Sequence, residues 1–294
     1  MTSLHSFWPA LGQFKEGVLF TPVDLGATRR QENLRIAKAS MLYGPTNSIL
    51  EKAIESHVKH NERYGYEMHI LRHPISKGFR NKYTWLKQII TNELQNSEED
   101  RAEWIMYFDP STVLLNPQIP LYAFLPPVHE SLDPVTILAT KPDGTTTSSS
   151  VFFIRVSQDS LGLLSDAMNA PGAGLDRDWG LDISSSTLQM ILEQNDWKEK
   201  VIYQPAHWYN RPVTMNGGIA EGDLLARFPS ELLGDRWKLM SDLITSLPTS
   251  HGKFSRSIEN TIYATEPPKF WESLAGGKRD RRRRNESESL VERL

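Results

Sequence analysis

The stretch from Trp104 to Pro117, W-I-M-Y-F-D-P-S-T-V-L-L-N-P, constrains the fold more than any other part of the chain. Trp104 to Phe108 is an unbroken apolar and aromatic run, and it stops abruptly at Asp109-Pro110. A run of strand length closed by turn residues predicts a buried β-strand. Asp109 then stands at a strand's carboxyl end, the edge at which open α/β sheets collect their ligands. Asp before Pro is also ordinary turn chemistry. The sequence therefore leaves Asp109 two readings, a site carboxylate or a turn cap.

The same alternation surrounds this stretch. Leu34 to Tyr43 predicts a first strand, closed by Gly44-Pro45. Thr46 or Asn47 caps a helix with Leu50, Ala53, Ile54, His57 and Val58 on one face, running to Tyr64 before Gly65. Glu67 to Leu71 is a second strand, and Asn81-Lys82 opens a helix buried through Leu86, Ile89, Ile90 and Leu94. Strand, helix, strand, helix, strand predicts a Rossmann-type, doubly wound α/β sheet. Strands at Val135–Ala139, Val151–Val156, Val201–Tyr203 and Leu224–Phe228 continue it, with helices from Ser157 to Met168 and from Ile183 to Gln194. Pro171 to Gly180 is a Gly-rich surface loop that could act as a lid, and Glu231 to Leu247 is helical. The expected layout is an irregular leader (1–32), one catalytic domain (33–230), a helical extension (231–274) and a basic, disordered tail (275–294).

With 294 residues, 39% of them hydrophobic, the chain can bury a full core. It contains no Cys, which excludes disulfides, thiolate nucleophiles and cysteine metal sites and makes the cytoplasm the expected compartment. No apolar run approaches the roughly 20 residues of a membrane span. The formal charge of -3 is uneven: from Lys278 onward the net is +3, leaving -6 on the body. A basic tail, Arg281, Arg282, Arg283 and Arg284 above all, can reach a polyanion such as RNA, or can simply be a solvated end.

Several phrases together resemble the fungal Golgi galactosyl- and mannosyltransferases of GT-A fold. They are K-A-S-M-L-Y-G (38–44), E-S-H-V-K-H-N-E-R-Y-G-Y (55–66), N-K-Y-T-W-L (81–86), the 104–117 stretch, S-V-F-F-I-R-V (150–156), V-I-Y-Q-P-A-H-W-Y-N (201–210) and G-D-L-L-A-R-F (222–228). The resemblance spans residues 38–228 and implies a single GT-A-like domain. It also implies a D-x-D pair after the central strand, where two carboxylates hold a divalent metal on the donor diphosphate. Here the second position is Ser111. An Asn-rich phrase is replaced by T-T-T-S-S-S (145–150), an acidic helix start by Ser184 to Thr187, and a metal-binding His by Arg227. A serine hydroxyl binds a hard cation weakly and Arg cannot bind one, so no metal or other cofactor is expected. An anion is, with Arg80, Lys82 and Arg227 as its partners.

A scaffold without its metal grip, without an anchor and with a basic tail also resembles the fungal arginine-containing cyclodipeptide synthases. In that family an acidic D-x-x-E phrase is matched by Asp100 and Glu103, with Glu99 where an Asp is expected. This resemblance implies a metal-independent aminoacyl transferase that joins arginine to a second amino acid from aminoacyl-tRNAs, with no stable protein partner. Its expected catalytic residues are Asp109 as base or amine-positioning group, Ser111, Glu103 and Asp100. Asn81, Lys82, Arg80, Asp182, Ser184, Ser149, Asp223, Arg227 and Trp208 are the expected substrate contacts, and Arg281 to Arg284 the expected tRNA contacts. The alternatives are glycosyl transfer from a nucleotide sugar, or a binding protein on the old scaffold.

Overall fold

The computed structural model describes residues 34–170, 181–215, 217–232 and 234–277. The leader, the 171–180 loop and the Arg281–Arg284 cluster lie outside the described residues.

Strand β1 (Ile36–Met41) is followed by helices α1 (Ser48–Glu55) and α2 (Val58–Tyr64), then strand β2 (Glu67–Leu71) and helix α3 (Arg80–Glu93). β3 (Trp104–Phe108) runs into the short β4 (Thr112–Leu114), and β5 (Ile137–Thr140), β6 (Val151–Arg155) and helix α4 (Gln158–Asn169) come next. Helices α5 (Leu181–Leu192) and α6 (Asn195–Lys198) lead to β7 (Val201–Gln204) and β8 (Leu225–Arg227). Helices α7 (Asp235–Ser246) and α8 (His251–Phe254) follow, and a last helix covers residues 266–277.

The main sheet has the order β2-β1-β3-β6-β5-β7. β1, β2 and β3 are parallel, as are β5 and β7, while β6 runs against β3 and β5. A strictly parallel sheet is thus not what forms; β6 reverses direction because the 141–150 loop returns the chain as a hairpin rather than through a helix. Five strands consequently end on one edge of the sheet, and β6 begins there.

β3 is central and buried on both faces, which is why it reads as a continuous apolar run. Trp104, Met106 and Phe108 face a core shared with Ile54, Phe124, Trp208, Tyr209 and Tyr263. Ile105 and Tyr107 face the opposite core, built with Leu86, Ile89 and Ile90 of α3 and Leu163 and Leu164 of α4. Residue 109 follows the two-residue alternation onto the Tyr107 face.

Local signals account for most boundaries. Asn47 accepts from the backbone N–H groups of Ile49 and Leu50, and Ser157 from that of Ser160, as N-caps do. Gly65 closes α2 at φ 68°, the left-handed region open to glycine. The helix expected to run unbroken to Tyr64 instead divides near His57, where the Ser56 hydroxyl donates to the Ala53 carbonyl and accepts from the Leu114 N–H. β4 was not foreseen. It pairs with β8 in a separate two-stranded ribbon, in register Thr112 to Arg227. That ribbon and α7 share a third core through Val113, Ala226, Phe228 and Met240.

Candidate functional site

Asp109 sits just past β3 with 7% of its surface exposed. The backbone fixes it: its N–H donates to the Ser150 carbonyl, and its own carbonyl accepts from the Thr112 N–H and hydroxyl. Asp109 is therefore both the turn residue and the carboxylate at the carboxyl edge. Its Oδ1 accepts from the Tyr107 hydroxyl at 2.8 Å and lies 3.6 Å from Lys82 Nζ. Oδ2 is buried and has no hydrogen-bond partner. Burial, and then the Asp109 charge, push the Tyr107 phenol well above its ordinary range, so it is a fixed donor.

Lys82 reaches the site from the first turn of α3. Its Nζ donates to the Ser149 carbonyl at 2.8 Å, approaches Ser149 Oγ at 3.4 Å, and lies 4.6 Å from the centre of the Tyr107 ring. Burial lowers its pKa, and Asp109 pulls the other way. Ser149 is held in turn by Ser185 of α5, 3.2 Å away through the two hydroxyls.

The ribbon delivers the third wall. The Phe228 N–H donates to the Ser111 carbonyl, so β8 docks beside the 109–111 turn and carries Arg227 with it. Arg236, in the first turn of α7, interacts electrostatically with both Arg227 and Asp109. Burial lowers the pKa of each guanidinium, partly offset by Glu231 and Asp109. The Nε atoms of Arg227 and Arg236 are buried without partners. Arg236 was missed from the sequence. Its signal was a cation in a helix's first turn, where the dipole favours an acid.

Other expected site residues stand elsewhere. Asp100 and Glu103 precede β3, at the amino edge of the sheet; strand rise puts Glu103 about 20 Å from Asp109. Asp100 is exposed and bonds the Ser97 hydroxyl, while the Glu103 backbone pairs with Arg35 and Val156. They cannot work with Asp109. Arg80 donates to the Met168 carbonyl and ties α3 to α4. Asn81 holds the preceding turn by accepting from Ile75 and Ser76 and donating to Gly78. Trp208 is 1% exposed, packs among Phe124 and Phe270, and donates from its indole to Glu266, so it is core. Asp223 is buried beside Arg211 (3.1 Å), and burial raises its pKa despite the Ala220 N–H and that guanidinium. Ser111 and Ser149 are at the site. Asp182 and Ser184 belong to α5, but their side chains lie outside the described residues.

A divalent cation does not fit this donor set. One carboxylate oxygen is free, the second position is a neutral hydroxyl, and Lys82, Arg227 and Arg236 surround them with positive charge. Among the described residues, the group with metal-ligand spacing is Glu67, His69 and Glu93, at the amino edge of β2 and away from Asp109.

No protein-family model matches the chain, and no curated protein does. Among solved structures, the chain is similar to a glycosyltransferase involved in glycosylating the major capsid of the virus PBCV-1. That likeness has a TM-score of 0.50 at 11% identity and covers 71% of this chain and 99% of that one. The fold is GT-A. A second similar structure is a variant of Drosophila beta-1,4-galactosyltransferase 7 in complex with manganese, UDP-galactose and xylobiose, with a TM-score of 0.34, 13% identity and coverage of 66% and 71%.

These findings overturn the expected aminoacyl-tRNA chemistry. The solved structure that shares the fold over 71% of this chain is a glycosyltransferase, and the acidic phrase that tied the chain to cyclodipeptide synthesis stands at the wrong edge of the sheet. Among the described residues no helix is long and apolar enough to cross a membrane.

Proposed function

We propose that the chain is a glycosyltransferase that moves a sugar from a nucleotide-sugar donor to an acceptor hydroxyl. The observation that carries this reading is the placement of Asp109: a carboxylate with one buried, unpartnered oxygen, at the carboxyl edge of the central strand of a GT-A sheet, faced by three cations. Ligands of open α/β sheets bind at that edge, and a donor diphosphate is the anion that three cations favour.

In the reaction the bond between the anomeric carbon and the diphosphate oxygen breaks, and its electron pair stays on the phosphate. The acceptor oxygen bonds to the anomeric carbon, and its proton passes to Asp109 Oδ2, the free acceptor at the site. Tyr107 and Lys82 hold the other oxygen and so fix the carboxylate's orientation.

The test is incubation with a panel of nucleotide sugars and simple acceptor glycosides, with mass spectrometry of the products. Release of a nucleoside diphosphate with matching transfer or hydrolysis of one sugar supports the reading. Silence with every donor would make the chain a binding protein on a transferase scaffold.

A further inference from the structure

The site holds more positive charge than its own packing requires. Arg227 and Arg236 interact repulsively, and the carboxylates in range are Asp109 and the exposed Glu231 and Asp143 at the rim. Each guanidinium keeps a buried Nε without a partner. Leaving a buried donor unsatisfied is costly, so two of them on electrostatically coupled guanidiniums call for an acceptor that comes from outside the chain.

The backbone around them points to the same kind of ligand. β4 and β8 clamp Arg227 beside the 109–111 turn through the Thr112 register and the Phe228-to-Ser111 hydrogen bond. Arg236 lies in the first turn of α7, next to Asp235.

We propose that Arg227 and Arg236 grip the donor's diphosphate directly, in the place where a D-x-D site would put a divalent ion. The inference rests on the glycosyltransferase reading for the identity of the donor, but the anion site stands on its own geometry. Two guanidinium forks carry the charge of one divalent ion and need no carboxylate ligands, which accounts for a serine at 111. Guanidinium also matches phosphate oxygens in bidentate fashion. When the anomeric bond breaks, the charge that appears on the leaving diphosphate appears against these two groups.

The experiment is calorimetric titration of inorganic pyrophosphate into the full chain in EDTA. Stoichiometric binding is expected, unchanged when EDTA is replaced by excess Mn²⁺ after correction for pyrophosphate–metal complexes. Arg227→Gln and Arg236→Gln should each weaken it about tenfold or more, whereas Arg72→Gln, which removes a surface partner of Glu51, should not. Arg236 is only half-buried, so its variant carries the test if Arg227→Gln fails to fold. No binding in EDTA, or binding untouched by Arg236→Gln, overturns the inference. Pyrophosphate bears neither sugar nor nucleoside, so this result is independent of turnover. Binding without turnover on any donor keeps the anion site and removes the reaction; metal-dependent turnover indifferent to Arg236→Gln does the reverse.

Discussion

Lys82 is an ammonium with 3% of its surface exposed, and it can stay charged there only because Asp109 and the Ser149 carbonyl face it. Removing one member of a buried ion pair strands the other, at a cost of about 3–5 kcal/mol. Lys82→Met should therefore destabilise the protein by about 3 kcal/mol in urea unfolding at neutral pH, and adding Asp109→Asn should recover at least about 1 kcal/mol of that loss. A double variant no more stable than Lys82→Met would mean the two groups are not coupled. Asp109 was legible in the sequence because an aromatic strand ends on it; Lys82 was legible as the opening of an amphipathic helix. Arg236 was not, since only the β4–β8 ribbon and the packing of α7 bring it to a turn far away in sequence.

At the scale of elements, β1 crosses the core carrying a second buried amine. Lys38 Nζ lies 2.9 Å from His60 Nδ1 and 3.4 Å from His57 Nδ1, and His57 stacks on Phe108 at 4.0 Å. Burial holds Lys38 well below 10.5, and burial and then the Lys38 charge hold both histidines well below 6.5. The unfolded chain therefore binds more protons than the folded one in these windows, and stability rises with pH through them. The histidines' contribution is complete above about pH 6.5 and is lost as pH falls below it. For Lys38 the gain continues upward from its depressed folded value toward its ordinary value of 10.5. From pH 7 to 9.5 the native chain should gain stability relative to Lys38→Met, by up to about 1.4 kcal/mol per pH unit. A constant difference would contradict the neutral-amine account. Periodicity revealed β1 but gave no sign of this cluster, because a lysine inside a strand pattern reads as a solvated position. The same limit explains Asp100 and Glu103: a short acidic phrase matches a motif without stating which edge of the sheet it will occupy.

Over the whole molecule, residues beyond 230 complete the core that supports the site. Tyr263 donates to the Trp208 carbonyl and accepts from the Leu224 N–H, and Glu266 receives both the Trp208 indole and, at 2.6 Å, His207. Trp271, in the helix over 266–277, belongs to the same cluster as Trp104 and Phe108. Trp271→Ala should cost about 3–5 kcal/mol in urea unfolding; a loss below about 1 kcal/mol would detach this helix from the core. The succession of strands and helices along the chain and the α/β class were readable because alternation of apolar runs records them. The reversed β6 and the β4–β8 ribbon were not, because strands of three to five residues carry no mark of direction or partner.

The central claim is that Asp109 works on a sugar donor at the carboxyl edge of β3. Its most direct test is single-turnover release of nucleoside diphosphate from a nucleotide-sugar pool in chelator, comparing the native chain with Asp109→Asn at saturating donor. The account predicts measurable release by the native chain and a rate lower by about 10²-fold or more in the variant, with donor affinity retained. Equal rates in the two proteins, or no release from any donor by the native chain, would contradict it.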